Sequence, residues 1–187
     1  AAVAFSRIAE YDCAISIYFA ERMWPREEDE PLPEVLSRTF FGRKSLRYGE
    51  NPHQRAAFYR DVGMHPCVTT AEQLHGKELS YNNILDLDSA LNLAREFAAP
   101  AAVVVKHNNP CGAATAATLA DSVRRAWDGD PLSAFGGILA FNRPVDADTA
   151  AALMSGEKFV ECVIAPDYDP AALAALKGWK KNVRLLK

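Results

Sequence analysis

Lys106 and His107 stand side by side at the end of a wholly apolar run, Ala101-Ala102-Val103-Val104-Val105, and are followed by Asn108-Asn109-Pro110-Cys111-Gly112. An ammonium beside a pH-tunable imidazole suits proton transfer next to developing negative charge. The run before them is short and rich in β-branched residues, the pattern of a strand buried on both faces of a mostly parallel sheet. The Asn-Asn-Pro-Cys-Gly stretch has turn chemistry. The pair is therefore expected where a buried strand stops, and in open α/β sheets ligands bind in the crevice at the carboxyl ends of strands. A strand-end lysine and histidine that only meet solvent would leave the same signature. On an ideal strand, moreover, adjacent residues point to opposite faces, so both can serve one site only if the strand end twists or the turn begins there.

A second polar cluster lies upstream, in Ser45-Leu46-Arg47-Tyr48-Gly49-Glu50-Asn51-Pro52-His53-Gln54. Arg47 offers a planar fork of donors suited to phosphate or carboxylate. Tyr48 can stack on a flat ring and still donate a hydrogen bond. Gly49 and Asn51-Pro52 make a turn that lets backbone approach a ligand. An ordinary loop would read the same way.

Taken in order, Arg47 to Gln54, Ser80-Tyr81-Asn82-Asn83, Lys106 to Gly112 and Asp130-Pro131-Leu132-Ser133-Ala134-Phe135-Gly136-Gly137 are similar to four motifs of the bifunctional AICAR transformylase/IMP cyclohydrolases of bacterial purine biosynthesis (AICAR is 5-aminoimidazole-4-carboxamide ribonucleotide). The resemblance covers nearly all of the chain. It implies an α/β fold with a cytidine-deaminase-like mixed sheet and flanking helices, preceded by a helix and linker from an upstream domain. On that reading residues 1–24 are the C-terminal helix of the cyclohydrolase domain, 25–37 a linker, and 38–187 the first subdomain of the transformylase domain.

The implied reaction moves a formyl group from 10-formyltetrahydrofolate, the co-substrate, to the 5-amino group of AICAR, giving FAICAR. The amine lone pair is delocalised into its ring, so it must lose a proton as it attacks, which calls for a general base. The tetrahedral oxyanion needs positive charge or donors, and the leaving folate nitrogen needs a proton. The resemblance gives His107 the base role, directly or through the substrate carboxamide. It gives Lys106 the oxyanion, or the proton for the leaving nitrogen. By the same carry-over Arg47, Tyr48, Gly136 and Glu161 bind AICAR, and Asn83 follows across a gap in the local alignment. The family also implies a homodimer with transformylase sites shared between subunits. Its remaining AICAR contacts and most of its folate site lie beyond this segment, so the segment alone is expected to be inactive.

The elements that must position these residues are legible from periodicity. Residues 2–23 read as a helix, with Phe5, Ile8, Ile15, Tyr18 and Phe19 at helical spacing. The acidic, proline-rich stretch from Pro25 to Pro33 reads as a linker. Ala56 to Tyr59 suggests a short strand. Residues 83–98 suggest a helix capped by Asn82 or Asn83, where Asn83 caps, holds a ligand, or does both. Asp86 and Asp88 suit that helix's dipole but would repel a phosphate placed too close. Thr118-x-x-Asp121 resembles a capping box ahead of Leu119, Val123 and Trp127. Strands follow at 138–141 and 159–165, helices at 147–154 and from Pro170, and a last strand at 183–186. Gly136-Gly137 makes either a tight strand entry or a close approach to ligand. Lys77 reads as a solvated loop lysine rather than a phosphate ligand. His53 is assigned to its Asn-Pro turn, and His65 and His75 to loops, none with a catalytic role.

Composition bounds the alternatives. The 187 residues are 49% hydrophobic and 24% charged, with net charge −3, which is ordinary for a globular chain. No basic stretch suggests nucleic acid. No run approaches the roughly 20 apolar residues of a membrane helix, and the N-terminus resembles no signal peptide. The absence of an initiator Met suggests that the chain begins within a longer protein. Cys13, Cys67, Cys111 and Cys162 have no metal-type or redox-type spacing and read as reduced thiols in a cytoplasmic protein. No metal is expected in this segment: Pro110-Cys111 lacks the Cys-x-x-Cys and His-x-Glu of zinc deaminases. A P-loop is absent. A non-catalytic nucleotide-binding or dimerisation module on the same fold is the remaining rival.

Overall fold

A computed structural model describes residues 1–23, 38–61 and 66–187. The linker read at 25–37 and His65 fall outside the described residues. The chain divides into two compact units, Ala1–Arg43 with Tyr59–Met64, and Lys44–Phe58 with His65–Lys187.

In the first unit, helix α1 covers Ala2–Met23, as its periodicity predicts. Its apolar residues Phe5, Ile8, Tyr11 and Phe19 are exposed. Strands β1 (Phe40–Ser45) and β2 (Ala57–Asp61) form a two-stranded sheet, of which residues 44–45 and 57–58 belong to the second unit. The Arg38 guanidinium bonds the Asp61 carboxylate at 3.2 Å.

The second unit is built on a six-stranded mixed sheet. Its strands are β3 (Gln73–His75), β4 (Ala101–Lys106), β5 (Asn109–Thr115), β6 (Gly137–Phe141), β7 (Val160–Ile164) and β8 (Arg184–Leu186), in the spatial order β3-β8-β7-β6-β4-β5. Strands β6, β7 and β8 run parallel. Strand β4 is antiparallel to both of its neighbours, β5 and β6, and β3 is antiparallel to β8. The expectation of a mostly parallel setting for β4 is therefore corrected, although its burial on both faces holds: Ala101 to Val105 are all inaccessible. Full burial follows from helices on both sides of the sheet, whichever way the strands run.

Side-chain alternation in β4 divides the core in two. Val103 and Val105 face a cluster with Ile138, Ala140, Cys162, Ile164 and Leu186, closed by Leu87, Ala90, Leu91 and Ala94 of helix α2 (Tyr81–Arg95). Ala102 and Val104 face the other cluster, with Leu139, Phe141, Val163 and Leu185. That face is closed by α3 (Leu119–Gly129), α5 (Ala147–Met154) and α6 (Pro170–Trp179). Each buried valine or leucine contributes about 1.5–3 kcal/mol, so the two-sided cover makes β4 a firm base for whatever stands at its end.

Four local expectations are corrected. Helix α2 is capped by Ser80, not by Asn82 or Asn83; the Ser80 hydroxyl accepts from the Asn83 N–H, and the Asn83 side chain completes the capping box from the third helical position. Serine's short hydroxyl reaches that amide as well as an asparagine would. The Asn109–Gly112 segment is not a turn but the start of β5. Pro110 is tolerated there because β5 is an edge strand, and because the register shifts by one residue between Val104 and Val105. His75 lies on β3 rather than in a loop. The Asn51 turn is closed by Gln54, whose side-chain oxygen accepts from the Asn51 N–H at 2.8 Å, and not by His53.

Candidate active site

The hairpin joining β4 to β5 has a two-residue loop, His107 and Asn108, between the paired residues Lys106 and Asn109. Both loop residues have positive φ, 53° and 64°, as a type I′ hairpin turn requires. His107 has thus left the strand, so the alternation that would set it against Lys106 no longer applies. Its N–H and that of Asn108 both donate to the Asp86 carboxylate on α2, at 3.1 and 2.7 Å. Ser89, one helical turn further on, contacts the Asn108 side chain.

Lys106, the last residue of β4, donates its Nζ to the Phe135 carbonyl at 2.8 Å. That carbonyl enters Gly136, whose φ of +80° no side chain adopts easily and whose Cα lies so that a Cβ would stand 3.9 Å from the lysine Nζ. The Gly136 N–H donates to Phe159 at 2.8 Å, and the Phe135 and Phe159 rings pack 5.4 Å apart. Lys106 and Gly136 meet because β4 runs against β6: the carboxyl end of β4 lies beside the amino end of β6, with Val105 opposite Ile138. The crevice expected at carboxyl ends is corrected accordingly. Here the amino ends of β6, β7 and β8 share the edge with the carboxyl end of β4.

Along that edge Glu161 and Arg184 stand on β7 and β8. The Glu161 Oε2 accepts from Asn83 Nδ2 at 3.0 Å and from Arg184 Nη1 at 3.4 Å. Arg184 is 4% exposed, and its Nε and Nη2 both donate to the Glu78 carbonyl at 3.2 Å. These bonds satisfy a buried guanidinium that would otherwise be costly. Glu161 is 42% exposed, which leaves its second oxygen open to a ligand.

Arg47 and Tyr48 are stitched to the start of α2 by backbone bonds, Arg47 N–H to Leu79 O at 3.0 Å and Tyr81 N–H to Tyr48 O at 3.3 Å. The Arg47 guanidinium lies over the Tyr48 ring, 4.6 Å from its centre, and donates to the phenol oxygen at 2.9 Å.

A cleft of about 190 Å³ is lined by Arg47, Lys77, Phe159, Glu161, Asn182 and Arg184, among others. Three cations against one carboxylate make it locally positive in a chain of net charge −3. Its volume is below the roughly 300–1,000 Å³ of complete ligand sites, so it suits part of an anionic ligand. Among the site residues read from the sequence, Arg47 and Glu161 line this cleft and Asn83 is bonded to it through Glu161. Tyr48 joins through Arg47. Lys106 and Gly136 stand at the adjoining strand ends, connected through Phe135 and Phe159, and His107 follows Lys106 in the turn held by Asp86. Lys77 is an exposed loop residue, as read from the sequence, and also lines the cleft.

Two residues escaped the sequence reading. Arg184 left one signal, a lone charge inside the apolar run Val183 to Leu186. Asp86 read as a dipole partner; nothing local links it to a turn twenty residues away. Among the described residues no group of three or more His, Cys, Asp or Glu gathers as a metal site would need. No helix among them is long and apolar enough to cross a membrane.

Fold and site define an α/β protein with a cationic cleft beside a lysine-histidine strand end. The model of the AICARFT/IMPCHase bienzyme family matches residues 1–187, and the chain belongs to that family. It is 53% identical over 187 residues to the bifunctional purine biosynthesis protein PurH of Myxococcus xanthus (strain DK1622). It is 52% identical over 186 residues to the PurH of Anaeromyxobacter dehalogenans (strain 2CP-C). Both matches take in 98% of this chain and 35% of the relative. The PurH of Oceanobacillus iheyensis is 48% identical over 188 residues, 100% of this chain and 35% of that protein. The chain thus spans about a third of the length of these relatives.

Proposed function

We propose that this chain is the part of a bifunctional purine-biosynthesis enzyme that carries the base and the nucleotide contacts for formyl transfer from 10-formyltetrahydrofolate to AICAR. The observation that carries the reading is the shared sheet edge, where the Lys106–His107 strand end adjoins a positive cleft lined by Arg47, Glu161 and Arg184. His107 takes the proton from the attacking amine, directly or through the substrate carboxamide. Lys106 meets the formyl oxyanion or protonates the departing folate nitrogen. Its Nζ is already oriented by the Phe135 carbonyl and keeps two further donor directions.

Arg47 and Tyr48 offer an anion fork and a stacking face to the nucleotide, Gly136 an approach without a side chain, and Asn83 a hold on the Glu161 carboxylate. The mixed sheet with α2 on one face supports the deaminase-like description of the fold, and the family supports a homodimer with shared sites, acting in the cytoplasm. Residues 1–24 then close a cyclohydrolase domain, 25–37 link, and 38–187 open the transformylase domain. A cleft too small for a whole nucleotide, in a chain a third as long as its relatives, supports an inactive segment when alone.

The test is formyl transfer to AICAR by the full-length protein and by its His107→Ala and Lys106→Ala variants, with AICAR affinity measured on each. The reading expects both variants to lose rate by roughly a hundredfold or more while still binding AICAR. A full-length protein that binds AICAR without formylating it would make the non-catalytic nucleotide-binding module the better account.

A further inference from the structure

The His107–Asn108 turn holds two consecutive non-glycine residues in the left-handed region. That region is unfavourable for residues that carry a side chain, less so for asparagine, and neither residue is the glycine that two-residue hairpins favour. The two loop N–H groups, left over by the β4–β5 ladder, converge on one acceptor. Asp86 Oδ2 takes the His107 N–H at 3.1 Å and Asp86 Oδ1 takes that of Asn108 at 2.7 Å. Hydrogen bonds to a charged acceptor are among the stronger ones, and two of them hold the turn in this conformation.

The histidine ring itself is held differently. Among the described residues its imidazole makes no hydrogen bond, while its carbonyl accepts from the Asn109 side chain at 2.9 Å. The backbone of the turn therefore sets the Cα–Cβ direction from which the ring reaches out. A catalytic group must be held within about 0.5 Å of its productive place, and here the holding group is a carboxylate on another element.

Asp86 also lies in a row along α2. Asn83, Asp86 and Ser89 are spaced by three and share one side of the helix. Asn83 grips Glu161, Asp86 grips the His107 turn, and Ser89 meets Asn108. One helix thus holds both the carboxylate of the cleft and the turn at the end of β4.

We propose that Asp86 is the positioning residue for His107, fixing the strained two-residue turn through both of its backbone N–H groups so that the imidazole faces the amine of the bound nucleotide. This rests on the reading of His107 as the base. The α2 row couples that placement to Glu161.

The experiment is a double-mutant cycle in the full-length protein: the parent, Asp86→Ala, His107→Ala and the pair, each with kcat, KM for AICAR, AICAR dissociation constant and thermal midpoint. Asp86→Ala is expected to lower kcat by roughly tenfold to a hundredfold and to leave the AICAR dissociation constant within about twofold. In the His107→Ala background it should cost nothing further, because residues acting through one another are not additive. Adding Asn108→Gly to Asp86→Ala should restore much of the rate, since glycine adopts the turn without help. Should Asp86→Ala fail to fold, Asp86→Asn, which keeps one acceptor oxygen, carries the same cycle with a smaller loss of kcat. An unchanged kcat, or rate losses that multiply in the double variant while His107→Ala alone is slow, would overturn the positioning role and leave the base intact. Full activity in His107→Ala would instead overturn the base, and the positioning role with it.

Discussion

Asn83 donates its side-chain amide to the Glu161 carboxylate at 3.0 Å, while its side-chain oxygen accepts from the Ser80 N–H at 3.1 Å. One side chain therefore serves a helix cap and the cleft carboxylate at once. Asn83→Asp keeps the acceptor that the cap uses and replaces the donor with a carboxylate facing Glu161. Because position 83 is buried, the like-charge contact should lower stability by about 1–3 kcal/mol even with the cap kept, and affinity for AICAR should fall about tenfold or more with the loss of a hydrogen bond to a charged group. Denaturant melts beside calorimetric titration check both halves.

Arg184 holds three bonds from a nearly closed position. Arg184→Met fills similar volume but leaves the Glu78 carbonyl without its partner and Glu161 without its cation. We expect a loss of about 1–3 kcal/mol in unfolding free energy, read from urea midpoints. Weaker AICAR binding should accompany it. A variant as stable as the parent would show that the buried guanidinium is dispensable.

Gly136 has φ +80° with the Lys106 Nζ close by. Gly136→Ala should cost about 1–2 kcal/mol from the left-handed backbone alone. Because the same peptide carries the Phe135 carbonyl that orients Lys106, the variant should also lose formyl-transfer rate. A melt and a rate measurement on one preparation separate strain from lysine displacement.

The four thiols should react in a set order. Burial pushes the Cys162 thiol up to about 12, so at pH 8 almost none of it is thiolate, the reactive form. At Cys67 burial also pushes upward, but bonds from Thr69 and Thr70 outweigh it and leave the thiol below its ordinary value. Native-state alkylation followed by peptide mass spectrometry should modify Cys67 early and Cys162 last. Early labelling of Cys162 would contradict the closed β7 face.

Acid should loosen the fold through particular carboxylates. The Thr118 hydroxyl, at 2.8 Å, and then Arg124 hold Asp121 below its ordinary value. Lys187 and the Tyr168 N–H do the same for Asp167. A carboxyl whose folded value is depressed contributes stability above its unfolded value of about 4, and that contribution disappears as pH falls through the folded value. The thermal midpoint should therefore drop from pH 6 to pH 3. In an Asp121→Asn, Asp167→Asn double variant it should start lower and drop less.

What the sequence disclosed depended on range. The β4 run, the cap at Thr118 and the helix opened by Pro170 are local patterns, and the structure has them where periodicity and residue type put them. The Thr118 cap is only half a capping box, because Asp121 is too short to reach back to the cap N–H and takes the threonine hydroxyl instead. β5 was hidden by Pro110 and Gly112, two breakers that an edge position, a bulge and the close approach of the Ala126 carbonyl make admissible. The sense of β4 in the sheet was invisible as well, since an apolar strand reads alike in either direction. Arg47, Glu161 and Arg184 share a cleft only because β7 and β8 lie parallel and the segment before α2 folds back on them, which no window of sequence contains.

The place of β8 in the sheet has a consequence for how the chain is made. Strand β3 finds its partner only when Leu186 pairs with Gln73, whereas β4 and β5 are joined by two residues. On a ribosome the hairpin bearing His107 can close as soon as it emerges, because its contacts are local. The arginine that completes the cationic cleft arrives only with β8. Until then β3 lacks its partner and is an unsatisfied edge, open to wrong partners, so the growing chain is exposed to mispairing between the synthesis of the His107 hairpin and the synthesis of Arg184.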